Sequence, residues 1–234
     1  MYQMRPGGFS NMPPVIKNLL VINVGVFLLQ MAFDSKGSPA LENLFALHTV
    51  QSVYFKPHQL VTHLFMHGGF GHLLFNMLAL WMFGATLENR WGSKRFLIFY
   101  MASGLGAALL HLGVLYMEME PVMEAFRGLS LTEQQELLYD PRFRVNVATI
   151  GASGAVFGCL AAFAYLFPNT EIYIYFLFPV KAKWFVLFYA AMELYLGVQN
   201  SAGDSVAHWA HLGGALVGFL LVLYWNRTDR RNFY

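Results

Sequence analysis

"TIGASGAVFG", residues 149–158, sets a single serine, Ser153, among glycines and alanines. The chain around it has 234 residues, of which 57% are hydrophobic and 12% charged, with 22 Phe and 12 Tyr. Soluble domains carry about a quarter of their residues as charges. The chain therefore reads as an integral membrane protein, and the quoted stretch as part of a membrane helix. Small residues in such a helix mark where another backbone comes close. The question is whether the hydroxyl of Ser153 serves packing or chemistry.

Crossing about 30 Å of hydrocarbon takes about 20 mostly apolar residues. Six stretches approach this: 15–33, 60–87, 96–117, 147–167, 184–198 and 206–225. The second is interrupted by Gly68, Gly69 and Gly71, and the fifth is short unless 176–180 contributes. The fold class expected is an all-α polytopic membrane protein: a cytoplasmic tail over 1–13, one six-span domain over 14–226 and a second tail over 227–234. Residues 1–14 lack an apolar core followed by a cleavage site, so the first span is expected to act as an uncleaved anchor.

Basic residues favour the cytoplasmic side. With the N-terminus inside, ten fall inside (Arg5, Lys17, Arg90, Lys94, Arg95, Lys181, Lys183, Arg227, Arg230, Arg231) and five outside (Lys36, Lys56, Arg127, Arg142, Arg144). Both termini are expected in the cytoplasm, and a bacterial inner (plasma) membrane is the expected location. The outside loop over 118–146 is acidic, and Ser130 followed by Glu133 predicts a capping box that opens a short helix through Leu138. A net charge of +2 gives no reason to expect nucleic acid, and the lone Cys159 has no partner for an internal disulfide.

Polar groups inside spans face the bundle interior. Spans two, four and six run in the same direction, so His72 and Asn76, Ser153, and His211 share a depth in the outer half of the bilayer. Gly154 and Gly158 form one GxxxG pair and Gly214 and Gly218 another. Docking of these two faces brings Ser153 toward His211. A serine hydroxyl becomes a nucleophile when a base within hydrogen-bond reach takes its proton. His72 and Asn76, four residues apart on one helical face, offer an imidazole N–H and an amide NH₂ to a developing oxyanion, and the backbone N–H of Ser153 offers a third donor. Nucleophile, base and oxyanion donors make an acyl-transfer set.

With "HGGFGHLLFN" (67–76), "GASG" (151–154) and "AHLGGALVG" (210–218) in this order, the chain resembles the rhomboid intramembrane serine proteases. The resemblance implies a six-transmembrane-helix rhomboid-like bundle and a Ser-His dyad without a third acidic residue. Ser153 would be the nucleophile and His211 the base and then the acid, with His72 and Asn76 as oxyanion stabilisers. It implies transmembrane protein substrates cleaved near the outer face of the lipid bilayer, no cofactor, and a gate involving span five and a cap at "NSAGDS" (200–205). Two departures stand out: His58 and Gln59 replace a Trp-Arg pair that anchors the first outside loop, and Phe157 replaces a tyrosine that packs on the catalytic histidine.

Other readings remain at this stage. Small residues around Ser153 also serve packing alone, and a catalytically silent relative that binds transmembrane helices would share these motifs. His63, His67, His72 and Glu193 suggest a metal-dependent hydrolase or a transporter, but there is no HExxH and the spacing of the histidines fits a metal site poorly. His208 competes with His211 for the role of base. Glu193, the one acid placed within a span, is read as a neutral carboxyl bonded to a neighbouring helix.

Overall fold

Proline at the first helical position starts α1 (Pro14–Phe33), where its missing N–H costs nothing. The computed structural model describes residues 12–34, 39–174, 177–199 and 206–228. The start of α1 is capped from elsewhere in the chain: buried Glu88 accepts from Val15 N–H at 2.9 Å and from Ile16 N–H at 2.8 Å. Ser93 Oγ–H donates to the same carboxylate at 2.7 Å. A negative group at a helix N-terminus satisfies its orphan donors and complements its dipole.

After α2 (Ala40–Phe45) the chain runs through a loop to α3 (Gln59–Thr62) and a 3₁₀ turn, His63–Phe65. Leu47 and Thr149 exchange backbone hydrogen bonds of 2.9 and 2.8 Å, which ties this loop to the segment leading into Ser153. The chain is non-helical over 66–69 and then forms α4 (Phe70–Ala79), a π-helical turn at Leu80–Gly84, and α5 (Ala85–Trp91), one continuous helix over Phe70–Trp91. The second span is thus shifted toward the C-terminus relative to the expected 60–87. The glycines at 68 and 69 end the irregular segment rather than interrupt a helix.

α6 (Ser93–Arg127) has 35 residues, past the expected end at 117. At 1.5 Å per residue it is about 50 Å long, more than the membrane core requires. Its last turns carry Glu118, Glu120, Glu124 and Arg127, a polar end suited to water, so the segment over 118–146 begins as helix. α7 (Leu131–Leu138) follows with the expected capping box: Glu133 N–H donates to Ser130 Oγ at 3.4 Å and Ser130 N–H to Glu133 Oε2 at 2.9 Å.

α8 (Ser153–Leu166) has only 14 residues, with ten of them buried. A helix apolar all round belongs at the centre of a bundle, and α8 packs against α6, α10 (His208–Thr228) and α9 (Ala182–Gln199). Between α8 and α9 lies an antiparallel hairpin, β1 (Glu171–Ile174) and β2 (Phe178–Lys181), in register from Glu171↔Lys181 to Ile174↔Phe178. Residues 178–180 are therefore strand and do not lengthen the fifth span. Four helices are long and apolar enough to cross a membrane: Pro14–Phe33, Phe70–Trp91, Ser93–Arg127 and His208–Thr228. α8 and α9, which lie where the fourth and fifth of the six expected spans were placed, are not among these four. The expected cap at 200–205 lies outside the described residues.

Candidate active site

Ser153 opens α8 and His211 lies in the first turn of α10. Glycine brings the two helices together. A Cβ built on Gly214 would run into the Gly154 carbonyl, and one on Gly218 would lie 2.6 Å from Gly158 Cα. With backbone against backbone at these two levels, Ser153 Oγ stands 2.8 Å from His211 Nε2.

The opposite nitrogen of the ring is also engaged. Glu193, from α9, places Oε2 3.0 Å from His211 Nδ1 and 2.6 Å from His208 Nδ1. Glu193 was expected as a neutral carboxyl, but two ring nitrogens converge on its one oxygen, the arrangement of an ionised carboxylate that only accepts, with each imidazole donating its Nδ1–H. His211 is then left with a bare Nε2 facing the serine, and Ser153 O–H donates to it. His208, the competing base, is buried and turned to Glu193. Phe157 stacks on His211 with ring centroids 4.2 Å apart and planes 8° from parallel, so phenylalanine supplies the ring surface here.

Of the donors expected to face an oxyanion, His72 lies close to Ser153, across Gly151. Gly151 has φ +130, a region that favours glycine, and its N–H donates to the His63 carbonyl at 2.9 Å. A Cβ on Gly151 would meet His72 Nε2 at 2.8 Å and Ser153 Oγ at 3.6 Å, so His72 and Ser153 flank this glycine. Gly68 N–H donates to His72 Nδ1 at 3.4 Å, which leaves the proton of a neutral imidazole on Nε2. Asn76, one turn further along α4, is buried, and its Nδ2 has no hydrogen-bond partner among the described residues. As the first residue of α8, Ser153 has a backbone N–H without an intrahelical acceptor.

Among the remaining histidines of the helices, His63 and His111 have ring hydrogen bonds, while both buried ring nitrogens of His67 have none among the described residues. His63 Nδ1–H donates to the Gln59 carbonyl at 2.8 Å, and His111 Nε2 pairs with Thr149 Oγ1 at 2.8 Å. His67 lies edge-on to His72 at 5.1 Å, with its backbone clamped by Gln30 of α1 (His67 N–H to Gln30 Oε1, 2.9 Å). Among the described residues, the group with three converging ligand atoms is Glu193, His208 and His211, all within 4.8 Å. His63, His67 and His72 form no such group. Two protons shared with one carboxylate oxygen account for the closeness of the first three.

Gln59 is fully buried and ties together the loop between α2 and α3. Its Oε1 accepts from Lys56 N–H (3.1 Å) and His48 N–H (3.4 Å), and its Nε2–H donates to the Tyr54 carbonyl at 2.9 Å. His58 Nε2–H donates to the Leu44 carbonyl at 2.7 Å. The sequence reading missed both this network and the contact from Glu193 to His211. An acid within a span was the available signal for the second; a buried glutamine at the head of a four-residue helix carries none.

A Rhomboid domain matches residues 54–227. The chain is 34% identical over 167 residues to the mitochondrial Rhomboid protein 1 of Saccharomyces cerevisiae, covering 68% of this chain and 39% of that protein. It is 28% identical over 162 residues to the rhomboid protease GluP of Bacillus subtilis (69% and 24%) and 27% identical over 217 residues to the rhomboid protease AarA of Providencia stuartii (87% and 69%). It thus spans well under half of the first two of these relatives. The match takes in His72, Asn76, Ser153 and His211 together with the glycine faces that join α8 to α10, and the chain belongs to the rhomboid family of membrane proteins.

Proposed function

We propose that the chain is an intramembrane serine protease that hydrolyses peptide bonds in or near transmembrane segments of membrane proteins. The observation that carries this reading is the 2.8 Å contact between Ser153 Oγ and His211 Nε2. In the proposed reaction Ser153 Oγ attacks the scissile carbonyl carbon as its proton passes to His211 Nε2. The carbonyl electron pair moves onto oxygen, where His72 Nε2–H, Asn76 Nδ2–H and the Ser153 N–H donate to it. Collapse expels the amine, which takes the proton from His211, and leaves an acyl-serine. Water, giving a proton to the same imidazole, then attacks the acyl carbon; the bond to Ser153 Oγ breaks, Oγ takes the proton back from His211 Nε2, and the acid is released.

Hydrolysis in a membrane requires a water store. A cavity of about 220 Å³, lined in part by Thr49, His111, Glu118, Arg144 and His208, lies on the side where the outside loops gather. The polar groups in its mixed wall can hold water. The proposal includes six spans, cytoplasmic termini and a site opening outward. The excess of basic residues in the inside segments supports this orientation. A bacterial inner membrane is part of the proposal; the relatives include mitochondrial, chloroplastic and bacterial proteins.

Purified chain in liposomes with a reporter containing a helix-destabilised transmembrane segment tests the reading. Cleavage by wild type and none by a folded Ser153→Ala variant is expected. Uncut reporter that nonetheless binds the wild-type chain would favour a silent helix-binding relative.

A further inference from the structure

We propose that Glu193 is a positioning residue for the Ser153–His211 reaction, with His208 holding it in place, so that the site works as a serine–histidine–glutamate relay of hydrogen bonds. The inference rests on the protease reading above and adds to it a third residue from a different helix.

Three observations converge on Glu193. First, one oxygen, Oε2, lies 2.6 Å from His208 Nδ1 and 3.0 Å from His211 Nδ1. With two donors on it, the carboxylate cannot leave one histidine without losing its alignment to the other. Second, its contact decides a protonation pattern: with the proton of His211 held at Nδ1, the lone pair at Nε2 is available to Ser153 at 2.8 Å. The reverse tautomer would aim an N–H at the hydroxyl and could not accept its proton. Third, the ring is held on its face by Phe157, stacked at 4.2 Å, and at Nδ1 by the carboxylate.

α9 is built to deliver this side chain. Among its described residues only Ala182, Glu193 and Gly197 are buried, while Leu187, Phe188, Leu194, Tyr195 and Val198 are exposed along its length. Gly197, one turn after Glu193, lets α9 approach α10: a Cβ there would stand 3.2 Å from His208 Cβ and 3.3 Å from the Trp209 ring. Burying a carboxylate is costly unless donors meet it. Here both donors are imidazoles of α10, and one of them is the proposed base.

In the attack step, the proton of Ser153 Oγ moves to His211 Nε2 as the new C–O bond forms, which makes the imidazole cationic. Glu193 takes no proton. It keeps its charge, stays bonded to Nδ1–H and opposes the developing positive charge. When the C–N bond breaks, the same proton leaves Nε2 for the amine, and the histidine returns to the tautomer from which it started.

The test uses the full chain in liposomes, with Glu193→Gln and Glu193→Asp compared with wild type for cleavage kinetics, fluorophosphonate labelling of Ser153 and thermal unfolding. Glu193→Gln is expected to fold and to lower kcat about 10²- to 10⁴-fold with KM within about twofold, labelling falling in step. Glu193→Asp, which restores the charge, is expected to recover at least about tenfold of this loss. Wild-type kcat in Glu193→Gln, or a loss that appears in KM and is the same in both variants, overturns the proposal while leaving Ser153 labelling, and with it the protease reading, intact. Absence of label on wild-type Ser153 overturns both. A second measurement is independent of whether the variants fold: ¹⁵N-histidine NMR of wild type, with His211 assigned by deletion, is expected to find its proton on Nδ1. A proton on Nε2 overturns the proposal.

Discussion

Gly154 and Gly214 meet so closely that a Cβ on Gly214 would overlap the Gly154 carbonyl. Ser153 precedes the first of these glycines and His211 lies one turn before the second, so this contact sets the separation of hydroxyl and imidazole. Gly214→Ala is expected to force α8 and α10 apart, to cost about 1–3 kcal/mol of stability, and to abolish labelling of Ser153. Thermal unfolding together with labelling at a temperature where the variant is folded checks this. Wild-type labelling in folded Gly214→Ala would mean that the glycine contact does not govern the site.

Asn76 Nδ2 is a buried donor with no partner among the described residues, and a buried unpaired donor is costly. Donation to an oxyanion resolves the cost only during reaction. Asn76→Ala is therefore expected to leave thermal stability unchanged or slightly higher while lowering kcat about 10²- to 10³-fold. Steady-state kinetics beside unfolding curves distinguish this from a structural asparagine, which would lose stability first.

The Phe157 ring lies against the His211 ring at 8°. An aromatic pair of this kind is worth about 0.5–1.5 kcal/mol beyond its area. Phe157→Ala is expected to free the imidazole and lower kcat several-fold or more, whereas Phe157→Tyr is expected to retain most activity because the ring surface is unchanged. Equal loss in both would argue for a role other than stacking.

Buried Gln59 satisfies donors at Lys56 and His48 and an acceptor at Tyr54. Gln59→Leu strands these groups at about 1–3 kcal/mol each, and a fall in unfolding temperature with freer proteolysis of residues 46–58 is expected. The same loop carries a pH signature. Burial holds the His48 imidazole below its ordinary value of 6.5. The unfolded chain then binds more protons than the fold just below that value, so stability is full at higher pH and declines as pH falls through about 6.5. Unfolding temperature is expected to drop between about pH 7 and pH 5, and His48→Gln to flatten this slope.

The approach of Ser153 to His211, and of His72 to Ser153, was legible because each residue lies in a run of small residues or at a helical spacing that declares its face. The capping box of Ser130 and Glu133 was legible because both partners lie within one turn. Glu193 was visible as an acid within a span, but its partners come from α10, and the angle between α9 and α10 depends on packing at Gly197 that no local pattern announces. The hairpin at 171–181 was hidden because Ile172, Phe178 and Val180 are as apolar as a helix end. The extension of α6 past residue 117 was hidden for the converse reason: charges that end a membrane span do not end a helix. Gln59 and Glu88 each satisfy backbone groups in another element, a role that composition cannot display.

Locating covalent label from a fluorophosphonate by mass spectrometry, on the purified wild-type chain with Ser153→Ala and His211→Ala beside it, bears most directly on the proposed chemistry. Label confined to Ser153, absent from Ser153→Ala and lost in His211→Ala, is the predicted result. Folded wild-type protein that takes no label at Ser153, or labelling of Ser153 undiminished in His211→Ala, would contradict an activated serine.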